Sequence, residues 1–342
     1  MSVSVSSTDR IVLASRPNGA PVAANFRREQ AALPPLQPGQ VLLRNHYLSL
    51  DPYMRGRMEE GPSYAPPVAL DAVMEGRTVS EVVASADDAL TVGTLVIAPG
   101  GWQTHAVVDA ASISRRLNPA GLPLSTALGV HGMPGFTAYA GLQEIGRVQP
   151  GETLVVAAAS GPVGATVVQL AKQQGARVVG IAGGEAKRAY VATLGADVAL
   201  DHRADDFAEQ LRHAAPDGID VYFENVGGKV FDAVLPLLND FARVPVCGTI
   251  ATYNTRGVQV PGPDRLPGFF SQVLRQRLNV RGFIQSDFND LFPRFEQDMA
   301  QWLREGRIRY REDIVQGLDA APDAFFGLLQ GRNFGKLVVK LD

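Results

Sequence analysis

The spacing of apolar residues along the chain changes near Thr126. Before it, short apolar runs such as Gln40-Val41-Leu42-Leu43-Arg44 and Leu95-Val96-Ile97-Ala98 are bounded by glycine and proline, as strands usually are. Pro34-Pro35, Pro52, Pro62 and Pro66-Pro67 interrupt the same stretch and argue against long helices there. This first part predicts a compact, β-rich, barrel-like domain.

From Thr126 onward, strands and helices alternate. Residues 153–159 form a continuous apolar run of the kind buried on both faces of a parallel sheet. Residues 164–174 have helical spacing, with Val167, Val168, Leu170 and Ala171 apolar, and Gly175 stops the helix. Further strands are expected at 176–182, 198–200, 219–223, 242–247 and 280–284, with a helix at 186–194. Such alternation marks a doubly wound α/β domain. The tail changes again: a helix at 323–329 runs through a polar turn into a strand at 336–340, expected to rejoin the first domain.

The turn after the first α/β strand reads Ala159-Ser160-Gly161-Pro162-Val163-Gly164. Against G-x-G-x-x-G it keeps the second and third glycines, with Ala159 in the first place. Gly161 would let the backbone approach a pyrophosphate, and Gly164 would allow close helix–strand packing. The helix that follows offers free N–H groups, and Pro162 lacks one, so Val163 and Gly164 become the donors. The next strand ends Ala182-Gly183-Gly184-Glu185-Ala186-Lys187-Arg188. Glycines stand where an NAD site would place an acid for the ribose 2′-hydroxyl. Lys187, with Arg188 as a lesser candidate, suits a 2′-phosphate, so NADPH is favoured, while Glu185 leaves some NAD use open.

Composition narrows the remaining choices. The 342 residues suggest two domains at about 150 residues each, and the net charge of −3 gives no reason to expect nucleic acid or an acidic membrane surface as partner. Residues 1–10 are polar without a secretory apolar core, and no run of about 18 apolar residues predicts a membrane span. Cys247 is the sole cysteine, which excludes a disulfide or a multi-thiolate zinc site within the chain and suits a cytoplasmic protein. Histidines 46, 105, 131, 202 and 213 fall on no ligand spacing, so no metal site is expected. Hydride transfer without a metal needs donors for charge developing on the substrate oxygen. Tyr53, in the loop Ser49-Leu-Asp-Pro-Tyr-Met-Arg-Gly-Arg, and Tyr253, after a Rossmann strand, are candidates among several tyrosines.

Taken in order, the segments from Leu50-Asp-Pro-Tyr-Met-Arg-Gly-Arg-Met to Gly331-Arg-Asn-Phe-Gly-Lys resemble the zinc-independent medium-chain dehydrogenase/reductases. Gly135-Phe-Thr-Ala-Tyr, Ala158-Ala-Ser-Gly-Pro-Val-Gly, Glu224-Asn-Val-Gly-Gly and Pro261-Gly-Pro-Asp-Arg-Leu-Pro carry the likeness between them. The chain is most similar to the leukotriene/prostaglandin, alkenal and curcumin reductases. The resemblance implies a GroES-like substrate domain over 1–127, a Rossmann NADP-binding domain over 128–306, and a return to the first domain over 307–342. It implies NADPH-dependent reduction of the C=C bond of an α,β-unsaturated aldehyde or ketone, usually by a homodimer. Tyr53 and Tyr253 would line the active site, Lys187 would contact the 2′-phosphate, Asn225 would lie near the nicotinamide, and Asn333 would help bind phosphates. Two departures stand out: His202 occupies a place where prostaglandin reductases often set a tyrosine against the 2′-phosphate, so that contact is altered or carried by His202, and Glu224 replaces the more usual aspartate, a change expected to be mild. The segment Phe283-Ile-Gln-Ser-Asp is less aromatic than in some relatives, leaving the preferred enone open. A quinone reductase of the same superfamily is the alternative enzyme, and a non-catalytic NADPH-binding protein the alternative class.

Overall fold

The computed structural model describes residues 5–118, 121–255 and 264–341. Residues 1–4 of the polar N-terminus and 261–263 of the Pro261 motif lie outside them. The chain divides into two compact units, one formed by Met1–Gly129 with Glu312–Asp342 and the other by Val130–Arg311.

In chain order, the first unit begins with β1 (Ser7–Leu13), β2 (Phe26–Ala32), β3 (Gln40–Ser49), the short α1 (Met54–Arg57), β4 (Thr78–Ser85), β5 (Leu95–Ala98), β6 (His105–Asp109) and β7 (Arg115–Arg116). The second contains α2 (Met133–Ala140), β8 (Thr153–Val156), α3 (Pro162–Gln173), β9 (Arg177–Ala182), α4 (Glu185–Thr193), β10 (Val198–Asp201), α5 (Phe207–Ala214) and β11 (Ile219–Phe223). It continues with α6 (Gly228–Val234), β12 (Leu238–Val246), α7 (Leu266–Gln276), β13 (Asn279–Gly282) and α8 (Phe292–Arg304). The chain returns to the first unit as β14 (Glu312–Gln316), α9 (Ala321–Leu329) and β15 (Lys336–Lys340).

Among the described residues, the second unit's sheet runs β10-β9-β8-β11-β12-β13, every neighbouring pair parallel. This is the doubly wound order, with its reversal between β8 and β11. The period-two alternation of the strands splits the core in two. Leu154, Val156 and Val178 pack on one face with Phe136 of α2 and Val168 of α3. Val155, Val179 and Ile181 face the other way, against Phe207 and Leu211 of α5 and Val230 of α6. Each such side chain contributes about 1.5–3 kcal/mol by leaving water. The apolar run at 153–159 is longer than its strand: the ladder stops at Val156 because the chain turns, with Ala158 at φ 50°. On the far side, Gln169 of α3 holds the backbone of Arg309 in both directions, at 2.8 and 2.7 Å, so the chain stays with this unit past α8.

The first unit's larger sheet has the order β14-β15-β3-β4-β5-β7, with β6 also paired to β3, while β1 and β2 form a separate antiparallel pair. Its core centres on Trp102, stacked on Phe26 at 5.6 Å and met edge-on by Phe325 of α9 at 5.7 Å. β15 lies antiparallel to β3, so residues near opposite ends of the sequence share one sheet.

Candidate functional site

The carboxyl ends of β8, β9, β10, β11 and β12 form one edge of the parallel sheet, where ligands of doubly wound folds bind. The turn after β8 is tight. A Cβ on Gly164 would stand 2.4 Å from the Ala158 carbonyl oxygen and 2.7 Å from Ala159 Cα, so α3 can approach the strand only with glycine there. Gly161, the N-cap of α3, differs: a Cβ would meet only the Ala158 oxygen, at 3.3 Å. Its position is an open cradle at a helix start, with Val163 and Gly164 in the first turn and Pro162 at its head.

At the end of β9, Gly183 and Gly184 lie against the turn that follows β10. A Cβ on Gly183 would stand 2.9 Å from His202 Cε1. His202 is half-buried, and among the described residues its Nδ1 has no hydrogen-bond partner; Asp201 Oδ1 stands 4.0 Å from it. Burial lowers the pKa of His202; Asp201 opposes that, and the positive charges of Lys229, Arg203 and Lys187 reinforce it. Three cations and an unpaired imidazole nitrogen therefore surround this strand end. Such a place fits a phosphate ester better than a ribose hydroxyl.

At the centre of the edge, Asn225 ties three strand ends together. Its Nδ2 donates to the carbonyl of Ala157 at 2.8 Å, and Cys247 Sγ donates to its Oδ1 at 2.7 Å. Burial pushes the Cys247 thiol well above its ordinary pKa, with Glu224 adding to the effect, so it stays protonated and able to donate. Glu224 folds under the next turn, accepting Tyr222 Oη at 3.0 Å, the Val226 N–H at 2.6 Å and the Gly227 N–H at 2.8 Å. Tyr253 lies in the 3₁₀ turn after β12, its hydroxyl 3.3 Å from where a Cβ on Gly248 would be.

Gly161, Val163, Gly164, Gly183, Lys187, His202, Asn225 and Tyr253 thus all lie at this one edge. Tyr53 and Asn333 belong to the first unit. Tyr53 caps α1 with the Arg57 guanidinium 5.7 Å from its ring centre. Burial, aided by Asp51 and Glu75, pushes its phenol well above the usual range, so it is a protonated donor. Asn333 Nδ2 donates to the Gly335 carbonyl at 2.9 Å. The loops that carry these two residues are joined by an ion pair: Lys336 Nζ lies 2.6 Å from Asp51 Oδ1.

Asp201, Arg203 and Lys229 are part of the β9–β10 corner yet were not anticipated from the sequence. A signal was present, because Arg203 follows His202 directly and basic residues near a second strand's end are what a 2′-phosphate needs. The position of Asp201 on the neighbouring strand is visible only once β10 is paired with β9.

Comparison with known proteins agrees with this architecture. Residues 9–115 match a family model described as the N-terminal domain of oxidoreductase, and residues 162–305 match one described as zinc-binding dehydrogenase. The chain is 54% identical over 97% of its length, and 96% of the relative's, to the NADPH-dependent curcumin reductase of Escherichia coli (strain K12). It is 41% identical to prostaglandin reductase 1 of Rattus norvegicus, over 94% of this chain and 95% of that one. The crystal structure of CurA in complex with NADPH from Vibrio vulnificus superposes with a TM-score of 0.92 at 53% identity, covering 98% of this chain and 99% of that one. Among the described residues no group of three or more His, Cys, Asp or Glu side chains is placed to hold a metal ion. The chain belongs to the zinc-independent branch of the medium-chain dehydrogenase/reductases, together with the curcumin and prostaglandin reductases.

Proposed function

We propose that this chain reduces the C=C bond of α,β-unsaturated aldehydes and ketones with NADPH. The observation that carries this reading is its 54% identity, over nearly its whole length, to a reductase named for curcumin, a conjugated enone. The cation-lined corner at Gly183 supports the choice of NADPH.

In this reading the second unit is the cofactor domain and the first, GroES-like, unit supplies the substrate side. Gly161, Val163 and Gly164 receive the pyrophosphate, Gly183, Lys187 and His202 the adenosine end, and Asn225 the nicotinamide end, with Asn333 contributing from the tail. When bound, NADPH supplies a hydride for the substrate's β-carbon. Tyr253 then donates a hydrogen bond to the carbonyl oxygen, where negative charge gathers. One preorganised donor of this kind is worth about 3 kcal/mol of barrier. Tyr53, held as a neutral phenol, is the second donor near the substrate. A proton from water or from a tyrosine completes the saturated carbonyl.

A homodimer belongs to the same reading. β13 closes one edge of the parallel sheet, and all four of its residues are exposed. Leu266, Phe270 and Leu274 of α7 are exposed at 59%, 61% and 78%. A second copy pairing along this edge would cover them, which light scattering of the purified protein would test. We place the reaction in the cytoplasm, a setting that suits a chain whose sole cysteine is a protonated thiol.

The deciding experiment follows NADPH consumption with 2-alkenones of varied length and with a benzoquinone, with identification of products. A saturated ketone is the expected product. An allylic alcohol would overturn the reading, turnover confined to the quinone would favour a quinone reductase, and NADPH binding without oxidation would make the chain a binding protein.

A further inference from the structure

The turn between β9 and α4 is closed by an acid taken from the neighbouring strand. Asp201, the last residue of β10, accepts the Gly184 N–H at Oδ2, at 2.8 Å, and the Arg203 N–H at Oδ1, at 3.0 Å. The Arg203 side chain returns over the same carboxylate, with Nε 3.2 Å from Oδ1 and Nη2 3.5 Å from Oδ2. It also lies on the glycines: a Cβ on Gly184 would stand 2.4 Å from Arg203 Nη2, and one on Gly183 3.2 Å from Nε. The Asp201 side chain is only 22% exposed, whereas that of Arg203 is 60% exposed. The acid is covered and the cation faces outward.

Burial works against the ionised form of Asp201. Hydrogen bonds from Arg203 and Gly184 outweigh it and hold its pKa at about 2, so the group is a carboxylate at neutral pH. An acid at the end of the second strand is what accepts a ribose 2′-hydroxyl in NAD-binding members of this fold. Here that strand ends in glycine, and the neighbouring strand places an acid at the same corner. Left bare, it would attract a 2′-hydroxyl and repel a 2′-phosphate.

We propose that Arg203 sets the cofactor preference of this chain twice over: its guanidinium pairs with the 2′-phosphate of NADPH, and it masks Asp201 from the 2′-hydroxyl of NADH. This rests on the NADPH reading above. Lys187 and Lys229 add positive charge at the same corner, beside His202, while the side chain of Arg203 bonds Asp201 itself. Loss of Arg203 should move the two cofactors in opposite directions.

The test is a set of dissociation constants for NADPH and NADH, measured by calorimetry on the wild-type chain, Arg203→Ala, Arg203→Gln and Arg203→Ala/Asp201→Asn. Removing a charged hydrogen-bond partner of a phosphate should weaken NADPH about tenfold or more. NADH should bind several-fold tighter to either Arg203 variant. In the double variant NADPH binding should recover in part relative to Arg203→Ala, because the repelling charge is gone, and the gain for NADH should shrink. Equal weakening of both cofactors, or a gain for NADH that survives in full without the Asp201 charge, would overturn the masking. Arg203→Gln, which keeps a polar side chain over the turn, guards against misfolding of the alanine variant. Wild-type protein that binds neither cofactor would instead overturn the NADPH reading itself.

Discussion

Replacing Lys336 with methionine should be among the most damaging single changes in the first unit. Lys336 and Asp51 are 285 positions apart in sequence, yet Nζ lies 2.6 Å from Asp51 Oδ1 and 2.8 Å from the Leu50 carbonyl. Their side chains are 3% and 6% exposed, so water cannot take over from either partner. Glu312 feels the same ammonium: burial raises its carboxyl pKa, and Ser125 and Lys336 pull it back down. Its Oε2 accepts Ser125 Oγ at 2.7 Å, while Oε1 is buried with no hydrogen-bond partner among the described residues. Methionine preserves most of the volume, so the cost is electrostatic: Asp51 would keep the Ser49 hydroxyl on Oδ2 but lose its counter-charge, and breaking a buried ion pair at one partner typically costs about 3–5 kcal/mol. For a chain of 342 residues, at about 2.1 cal/mol/K of unfolding entropy per residue, that is roughly 4–7 °C in melting temperature. Calorimetric scans of Lys336→Met and of the double variant Lys336→Met/Asp51→Leu are the assay. The double variant should be the more stable of the two, because an apolar pair replaces a buried ion pair at little net cost. A loss below about 1 kcal/mol for Lys336→Met, or no recovery in the double variant, would show that the carboxylate is solvated in spite of its burial. Turnover reports on a second consequence. Asp51 lies two residues before Tyr53 and Lys336 three after Asn333, so loss of the pair should lower enone turnover even where the protein remains folded.

The two glycines of the β8 turn should fail in different ways. Gly164→Ala, whose Cβ would stand 2.4 Å from the Ala158 oxygen, should cost about 1–3 kcal/mol of stability and weaken NADPH binding. Gly161→Ala meets only one atom, at 3.3 Å, so it should leave the melting temperature nearly unchanged while weakening NADPH; the reverse pattern would refute the assigned roles. Tyr253→Phe should lower enone turnover about 100-fold with NADPH affinity nearly intact, and unchanged turnover would remove Tyr253 from the mechanism. Asp201 has a folded pKa of about 2, below the ordinary 3.8. Its contribution to stability is therefore complete above the ordinary value and is lost as pH falls through about 2. Asp201→Asn should flatten the acid limb of the stability profile in that window, which denaturant titration at several pH values would reveal.

Much of the second unit was legible because its signals are local. Continuous apolar runs, each followed within two residues by glycine, mark β8 and β9, and the helices follow at the spacing a parallel sheet requires. The turn chemistry at Gly161 and Gly164 could be read for the same reason, since both the strand before and the helix after are contiguous with it. The strand ends were less accurate. β12 begins at Leu238, four residues before the apolar run at 242–247, through Asn239, Asp240 and Phe241 at a place where its pairing with β11 is irregular. In the first unit the strands were visible, but their partners were not. β3 pairs with β4, β6 and β15, and nothing in a single run of alternating residues specifies a neighbour far away in sequence. The Asp51–Lys336 pair was hidden for the same reason: each residue reads as an ordinary surface charge until β15 is laid beside β3.

Glu224 holds the turn after β11 from within. The turn after β11 must expose two successive glycines, Gly227 at φ 75° and Gly228 at φ 56°, before α6 begins. Such a turn leaves N–H groups pointing inward, and a buried N–H without a partner is costly. The longer side chain of glutamate reaches past its own residue to take the Val226 and Gly227 N–H groups on one oxygen, together with the Tyr222 hydroxyl. Burial raises its pKa and those three donors draw it down again, so what opposes its ionisation is desolvation and what allows it is the turn itself. Those bonds do not use the side chain of the neighbouring Asn225. Its carboxamide can reach sideways to Ala157 and Cys247, joining β8, β11 and β12 at the edge where the sheet's order reverses. The residue expected near the nicotinamide is thus held at the ends of β8 and β12, while the glutamate beside it holds the turn.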